Sequence, residues 1–120
     1  MANLYQIAVV DLFCGVGGLA HGFFLEGLNV VAGIDNDKTC EFAFTENNKA
    51  RFICKDVKEL RPNEIRDLYP KNSIKILVGC APCQPFADLQ QHIGNAVSVE
   101  LGRAIAKSIK NIYKSILLFS

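Results

Sequence analysis

The sequence predicts an α/β fold: a parallel sheet of about four strands, helices on its faces, and one long helix at the C-terminal end. Three observations carry this reading. Strand-like and helix-like segments alternate through the first 79 residues, the pattern of successive βαβ units. The first apolar run breaks into a glycine-rich loop that opens a helix. The last twenty residues repeat apolar side chains at helical spacing.

Ile7 to Phe13 is β-rich with little polar content, as expected of a strand covered on both faces. Gly15, Gly17 and Gly18 end it. Leu19 to Glu26 reads as a helix closed by Gly27, and Val30 to Ile34 as a second strand that stops at Asp35. Lys38 to Asn47 predicts a second helix, and Arg51 to Cys54 a short third strand ending near Asp56. Pro62 to Tyr69 fits a brief helix with proline in its first turn. Ile74 to Val78 is the fourth strand. The final helix spans roughly Val99 to Leu118. Ile105, Ile109, Ile112 and Ile116 make one apolar stripe on it, and Arg103, Lys107, Lys110 and Lys114 a basic stripe opposite. A solvated face is the favoured reading of that basic stripe, with phosphate contact as the alternative.

The chain has 120 residues, room for one domain. Half the residues are apolar and 21% are charged, an ordinary globular composition. The net charge of +1 neither supports nor excludes nucleic acid as a partner. Five cysteines without secreted-domain spacing read as reduced thiols, and no leader or membrane-spanning run is evident, so an intracellular, cytoplasmic protein is expected.

Two stretches carry chemistry. In Asp11-Leu12-Phe13-Cys14-Gly15-Val16-Gly17-Gly18-Leu19-Ala20, the spacing Gly15-x-Gly17-x-x-Ala20 matches the dinucleotide fingerprint. Asp35 ends the next strand about twenty residues on, where a carboxylate can accept both hydroxyls of a ribose. Asp56 ends the third strand, near where an adenine would lie. Together they predict a Rossmann-like site for an adenosine-containing cofactor at the carboxyl ends of the strands. Either aspartate alone reads better as a turn residue; the ordered set favours the cofactor. The second stretch is Gly79-Cys80-Ala81-Pro82-Cys83-Gln84-Pro85-Phe86. Pro82 and Pro85 each fix φ and remove a donor, so Cys83 sits on a stiff loop after a strand. That placement suits a nucleophile. Cys14, Cys40 and Cys54 read as inert core thiols.

At these residues the chain resembles the DNA cytosine-5 methyltransferases. Asp11 to Gly18 is similar to their first motif, Pro82-Cys83-Gln84-Pro85-Phe86 to their catalytic loop, and Gln91-His92-Ile93-Gly94-Asn95-Ala96-Val97 to their last motif. The resemblance implies an S-adenosylmethionine-dependent methyltransferase fold with S-adenosylhomocysteine as product. Phe13, Gly15 and Gly17 would line the cofactor pocket, with Val16, Gly18 and Leu19 close by. Asp35 would hold the ribose, and Asp56 the adenine amino group, with Val57 beside it. Pro82 would lie near the reacting methyl, and Asn95, Ala96 and Val97 near the methionine end. Cys83 would be the nucleophile, DNA the substrate, and no metal is implied.

The chain departs from that family in its middle. Only seven residues, Ala87 to Ile93, separate Phe86 from Gly94. The Glu-Asn-Val motif, the arginine motif and the target-recognition domain are absent, and Ala87 stands where serine is usual. The expectation is a single truncated cofactor-binding and catalytic domain over 1–120, a poor or inactive methyltransferase alone. It would be a remnant or one part of a split enzyme whose missing half acts in trans. A bare outer edge on the fourth strand would favour self-association. Three competing readings explain less. A nicotinamide dehydrogenase leaves the Cys83 loop unexplained. For a redox protein, Cys80-Ala81-Pro82-Cys83 stands in the wrong context. For zinc, Cys40, Cys54, His21 and His92 have the wrong spacing.

Overall fold

The computed structural model describes residues 6–80 and 87–118, with only the backbone given for 87–98 and 116–118. Its elements are β1 (Ile7–Leu12), α1 (Gly18–Leu25), β2 (Asn29–Asp35), α2 (Glu41–Asn48), β3 (Arg51–Cys54), α3 (Pro62–Arg66), β4 (Ile74–Gly79) and α4 (Ala87–Leu118). Single 3₁₀ turns, Lys38–Cys40 and Val57–Glu59, precede α2 and α3. The four strands form one parallel sheet in the order β3-β2-β1-β4. The α/β class and the four-strand sheet are those the sequence predicts.

The core lies on one face of that sheet. Ile7 and Val9 of β1, Val30 of β2 and Phe52 of β3 pack with Ala20 and Phe23 of α1, Phe44 of α2 and Ala106 of α4. All are apolar and largely removed from water, which is the main favourable term in folding. Side chains of successive strand residues point to opposite faces. Ala8 and Val10, with Ala32 and Ile34 beside them, therefore line the second face, and they too are buried. Tyr69, just after α3, donates its hydroxyl to the Ile76 carbonyl at 2.6 Å.

Helix α1 crosses α4 at a pair of glycines. A Cβ on Gly102 would land on the Leu19 carbonyl oxygen, and one on Gly22 would meet the backbone of Val99, Gly102 and Arg103. Only residues without a side chain let the two backbones come this close. At the far end Tyr113 donates its hydroxyl to Gln6 Oε1 at 2.7 Å. Helix α4 therefore runs antiparallel to β1, and its first half heads towards the carboxyl ends of the strands.

Four expectations about helices are corrected. Helix α4 begins at Ala87, not Val99; no proline follows Pro85, and Ala, Leu and Gln favour helix over this stretch. Gly102 and Ala106 are its buried residues, with Ile105, Ile109 and Tyr113 half-buried beside them, so Ile105 and Ile109 of the expected stripe face the core, whereas Ile112 is 60% exposed. Small residues at the crossing, invisible to a reading based on large apolar side chains, set the contact face. The basic stripe is not one solvated face: Arg103 Nε bonds Glu26 Oε2 at 3.0 Å, and Lys110 Nζ donates to the Glu26 carbonyl at 3.0 Å. A cation on the last carbonyls of α1 also suits its dipole. Lys107 and Lys114 do stay exposed. Helix α3 is shorter than expected and stops at Arg66.

Candidate cofactor and nucleophile site

The strand order reverses between β1 and β4, with β2 and β3 on one side and β4 on the other. In open parallel sheets such a switch point opens a crevice beyond the carboxyl ends of the strands. Leu12 pairs with Gly79, so β1 and β4 end level. The glycine loop leaves one and Cys80 leaves the other, exposed. Leu12 also pairs with Ile34, and Asp35 with Cys54, which brings the ends of β2 and β3 to the same edge.

The glycine loop is held by its own backbone and by β2. Cys14 donates its N–H to the Ile34 carbonyl at 3.1 Å, and Gly17 donates to the Cys14 carbonyl at 2.8 Å. Gly15 donates its N–H to Asp35 Oδ2 at 2.9 Å. Phe13, with φ 55, takes the left-handed conformation that bulky residues avoid, and the residue is 38% exposed at the lip of the crevice. A Cβ built on Gly15 meets no atom within 4 Å, so open space lies against that glycine. Val16 is half-buried in the loop, and Gly18 and Leu19 open α1.

Both predicted acidic residues stand at this edge, and each also serves its own turn. Asp35 Oδ1 accepts the Asp37 N–H at 2.8 Å. Asp56 Oδ1 accepts the Lys58 N–H at 3.0 Å and so caps the 3₁₀ turn that Val57 begins. The turn reading holds for both, and a carboxylate oxygen that accepts one hydrogen bond can accept another. Pro82 and Cys83 lie outside the described residues. Asn95, Ala96 and Val97 lie on the backbone of α4, their side chains outside the described set.

Sequence reasoning assigned no role to Asp11, which the structure buries to 1% exposure beneath the glycine loop. Its Oδ2 has no partner among the described residues. Burial, with Asp35 nearby, pushes its carboxyl up to about 7, against the pull of the Ala20 N–H in the first turn of α1. The same burial, together with Asp11 and Asp35, holds the Cys14 thiol far above the ordinary range. Cys14 is an inert core thiol, as expected. Cys40 is half-buried, but Cys54 is exposed at the strand end and is not a core residue; β3 is an edge strand whose last residue has left the core. A groove of about 330 Å³ between Phe24, Leu28, Asn29 and Lys49 lies by the start of β2, away from these strand ends.

The profile of the C-5 cytosine-specific DNA methylases matches residues 7–90. The chain belongs to this family. It is 47% identical over 110 residues to the type II methylase M.HgiDII of Herpetosiphon aurantiacus, covering 92% of this chain and 31% of that protein. It is 38% identical over 81 residues to the type II methyltransferase M.XorII of Xanthomonas oryzae pv. oryzae, covering 65% of this chain and 19% of that protein. A crystal structure of a prophage-encoded E. coli protein assigned as a DNA modification methyltransferase superposes with TM-score 0.55 at 27% identity, over 68% of this chain and 24% of that one. This C-5 methylase chain therefore spans less than a third of the relatives named here. Among the described residues, no helix is long and apolar enough to cross a membrane, and no cluster of three metal-ligating side chains occurs.

Proposed function

We propose that this chain is the cofactor-binding and nucleophile-bearing part of a DNA cytosine-5 methyltransferase. The observation that carries the proposal is the level ending of β1 and β4 at the switch point, with the glycine loop on one strand and the Cys83 segment on the other. S-adenosylmethionine, when bound, supplies the methyl group from a cationic sulfonium. The site suits such a group: open space lies against Gly15, and a buried acidic group, Asp11, whose Oδ2 has no partner among the described residues, lies below. Phe13, Gly15, Val16, Gly17, Gly18 and Leu19 form its floor and lip. Asp35 takes the ribose hydroxyls, Asp56 and Val57 the adenine, and Pro82, Asn95, Ala96 and Val97 close the methionine side.

The Cys83 thiolate adds to carbon 6 of cytosine, which makes carbon 5 enamine-like and nucleophilic. After methylation, loss of the carbon 5 proton to a base expels Cys83 and restores the ring. The target base has first to leave the duplex stack. Covalent catalysis of this kind divides one hard step into easier ones. No Glu-Asn-Val motif is present in this sequence to assist at cytosine N3. Loss of such acid help costs about 10²–10⁴-fold, so the chain alone is expected to be a weak or inactive methyltransferase.

A second reading, one part of a split enzyme or a cofactor-binding remnant, is favoured by the outer edge of β4, which no strand covers among the described residues and where Leu77 is 51% and Ile74 43% exposed. The test is calorimetric titration of S-adenosylmethionine and S-adenosylhomocysteine into the purified chain, with Asp35→Ala as control. Saturable binding that Asp35→Ala abolishes is expected. No binding by the native chain would overturn the cofactor assignment. Methylation of a defined DNA sequence by the chain alone would overturn the expectation of low activity.

A further inference from the structure

The glycine loop has two sides. Gly15 faces open space, and the carboxylate of Asp35 holds its N–H. Gly17 faces inward: with φ 87, a Cβ there would land on Asn48 Nδ2 and Phe44. Gly17 also caps α1, yet no side chain caps that helix end. Asn48, the last residue of α2, stands behind it. Its Nδ2 donates to the Gly17 carbonyl at 3.4 Å and to the Phe44 carbonyl at 3.2 Å. Its Oδ1 lies 3.2 Å from His21 Nδ1. With both amide hydrogens committed, Oδ1 is the acceptor, so His21 carries its proton on Nδ1. The Gly17 carbonyl also accepts the His21 backbone N–H at 2.8 Å.

Asn48 is only 1% exposed. Asparagine at a helix end normally faces solvent or caps its own helix, so a buried one is uncommon and depends on the partners it finds. Leaving such a group unpaired costs about 1–3 kcal/mol. Only this side chain links the end of α2 to both the loop and α1 through hydrogen bonds among the described residues.

We infer that Asn48 is a positioning residue for cofactor binding: it holds Gly17 from behind, and thereby sets the open face of the loop without touching the ligand. The inference rests on the cofactor reading above and adds a residue that reading does not contain. Asp35 and Asn48 pin the loop from opposite sides, one at Gly15 and the other at Gly17.

The experiment titrates S-adenosylhomocysteine into the full chain carrying Asn48→Ala, with Ile109→Ala as a control of comparable stability loss at the α1–α4 interface. Asn48→Ala is expected to weaken binding about tenfold, and Ile109→Ala less than about twofold. Equal effects of the two variants, or unchanged affinity in Asn48→Ala, would overturn the inference. Should Asn48→Ala fail to fold, His21→Ala leaves both Nδ2 bonds of Asn48, removes its Oδ1 partner together with the ring stacked on Phe24, and is expected to weaken binding about threefold; no change there counts against the inference. Should the native chain bind no cofactor, the cofactor reading fails separately. Amide exchange at Gly17 and His21 then decides: faster exchange in Asn48→Ala than in Ile109→Ala supports the positioning role, and equal exchange overturns it.

Discussion

Strands β1 and β4 lie side by side in register, Ile7 opposite Ile74 and Leu12 opposite Gly79, and they live in different environments. Residues 7–11 of β1 are buried without exception. In β4 only Ile76 and Val78 are half-buried, on the face that joins the core, and the other four residues are exposed. The two stretches are similarly apolar. What separates them is neighbours: β1 has a strand on each side and helices α1 and α4 above, whereas β4, among the described residues, pairs with β1 alone. Burial is a property of position in the sheet, so an apolar edge strand is informative about what the fold leaves uncovered.

The largest expected contrast tests that difference directly. Phe23→Ala empties a fully buried position between α1 and the sheet and should cost about 3–5 kcal/mol in denaturant unfolding. Leu77→Ala, on the exposed face of β4, should cost within about 0.5 kcal/mol. A Leu77→Ala cost close to that of Phe23→Ala would mean that this face is covered in solution.

Next comes charge beneath the loop. Asp11 keeps its proton up to about 7 in the fold, and an unfolded aspartate releases it near 3.8. Between those values the folded state holds the extra proton. Stability therefore falls as pH rises from 3.8 towards 7 and levels off above. Asp11→Asn keeps an acceptor for the Ala20 N–H and removes the ionisation. It should flatten this slope and, above neutrality, stabilise the chain by a few kcal/mol at most. Thermal melts across pH 4–8 measure both; an unchanged slope in the variant would assign it to other groups.

Third is the helix crossing that buries β1. Gly102→Ala gains helix propensity, about 1 kcal/mol, but drives a methyl into the Leu19 carbonyl. Backbone cannot move aside cheaply, so a net loss of about 1–3 kcal/mol is expected. Ala104→Gly on the exposed side of the same helix should lose only the propensity, about 1 kcal/mol. A stabilising Gly102→Ala would mean that α4 does not cross α1 at that point.

How far the sequence could be read follows the same division. Strands β1 to β4 were legible because apolar runs bounded by Gly, Pro and Asp are local signals. The glycine loop and Asp35 were legible because their spacing is fixed by the βαβ unit. The contact face of α4 was not, because Gly102 and Ala106 register as weak positions until a second backbone is placed against them. Asn48 and Asp11 were missed for a related reason. An asparagine ending a helix and an aspartate near the end of a strand each have an ordinary local explanation, and only tertiary packing shows one with its amide bonded on both sides and the other with an oxygen that has no partner among the described residues.

The smallest effect concerns association. Among the described residues the outer edge of β4 offers unpaired backbone groups beside Ile74 and Leu77, with Lys75 between them as the one charge on the strand. A single lysine is a common guard on such edges, but one charge flanked by exposed leucine and isoleucine guards poorly. Self-association through β4 is therefore expected to be weak and concentration-dependent. Leu77→Lys should shift sedimentation towards monomer and leave the melting temperature nearly unchanged, because the side chain it replaces is already half in water. If the native chain stays monomeric at high concentration, then β4 is protected by something other than a second copy. A complementing polypeptide that supplies further strands would be the next partner to seek, and the contrast between β1 and β4 would then mark where that partner joins.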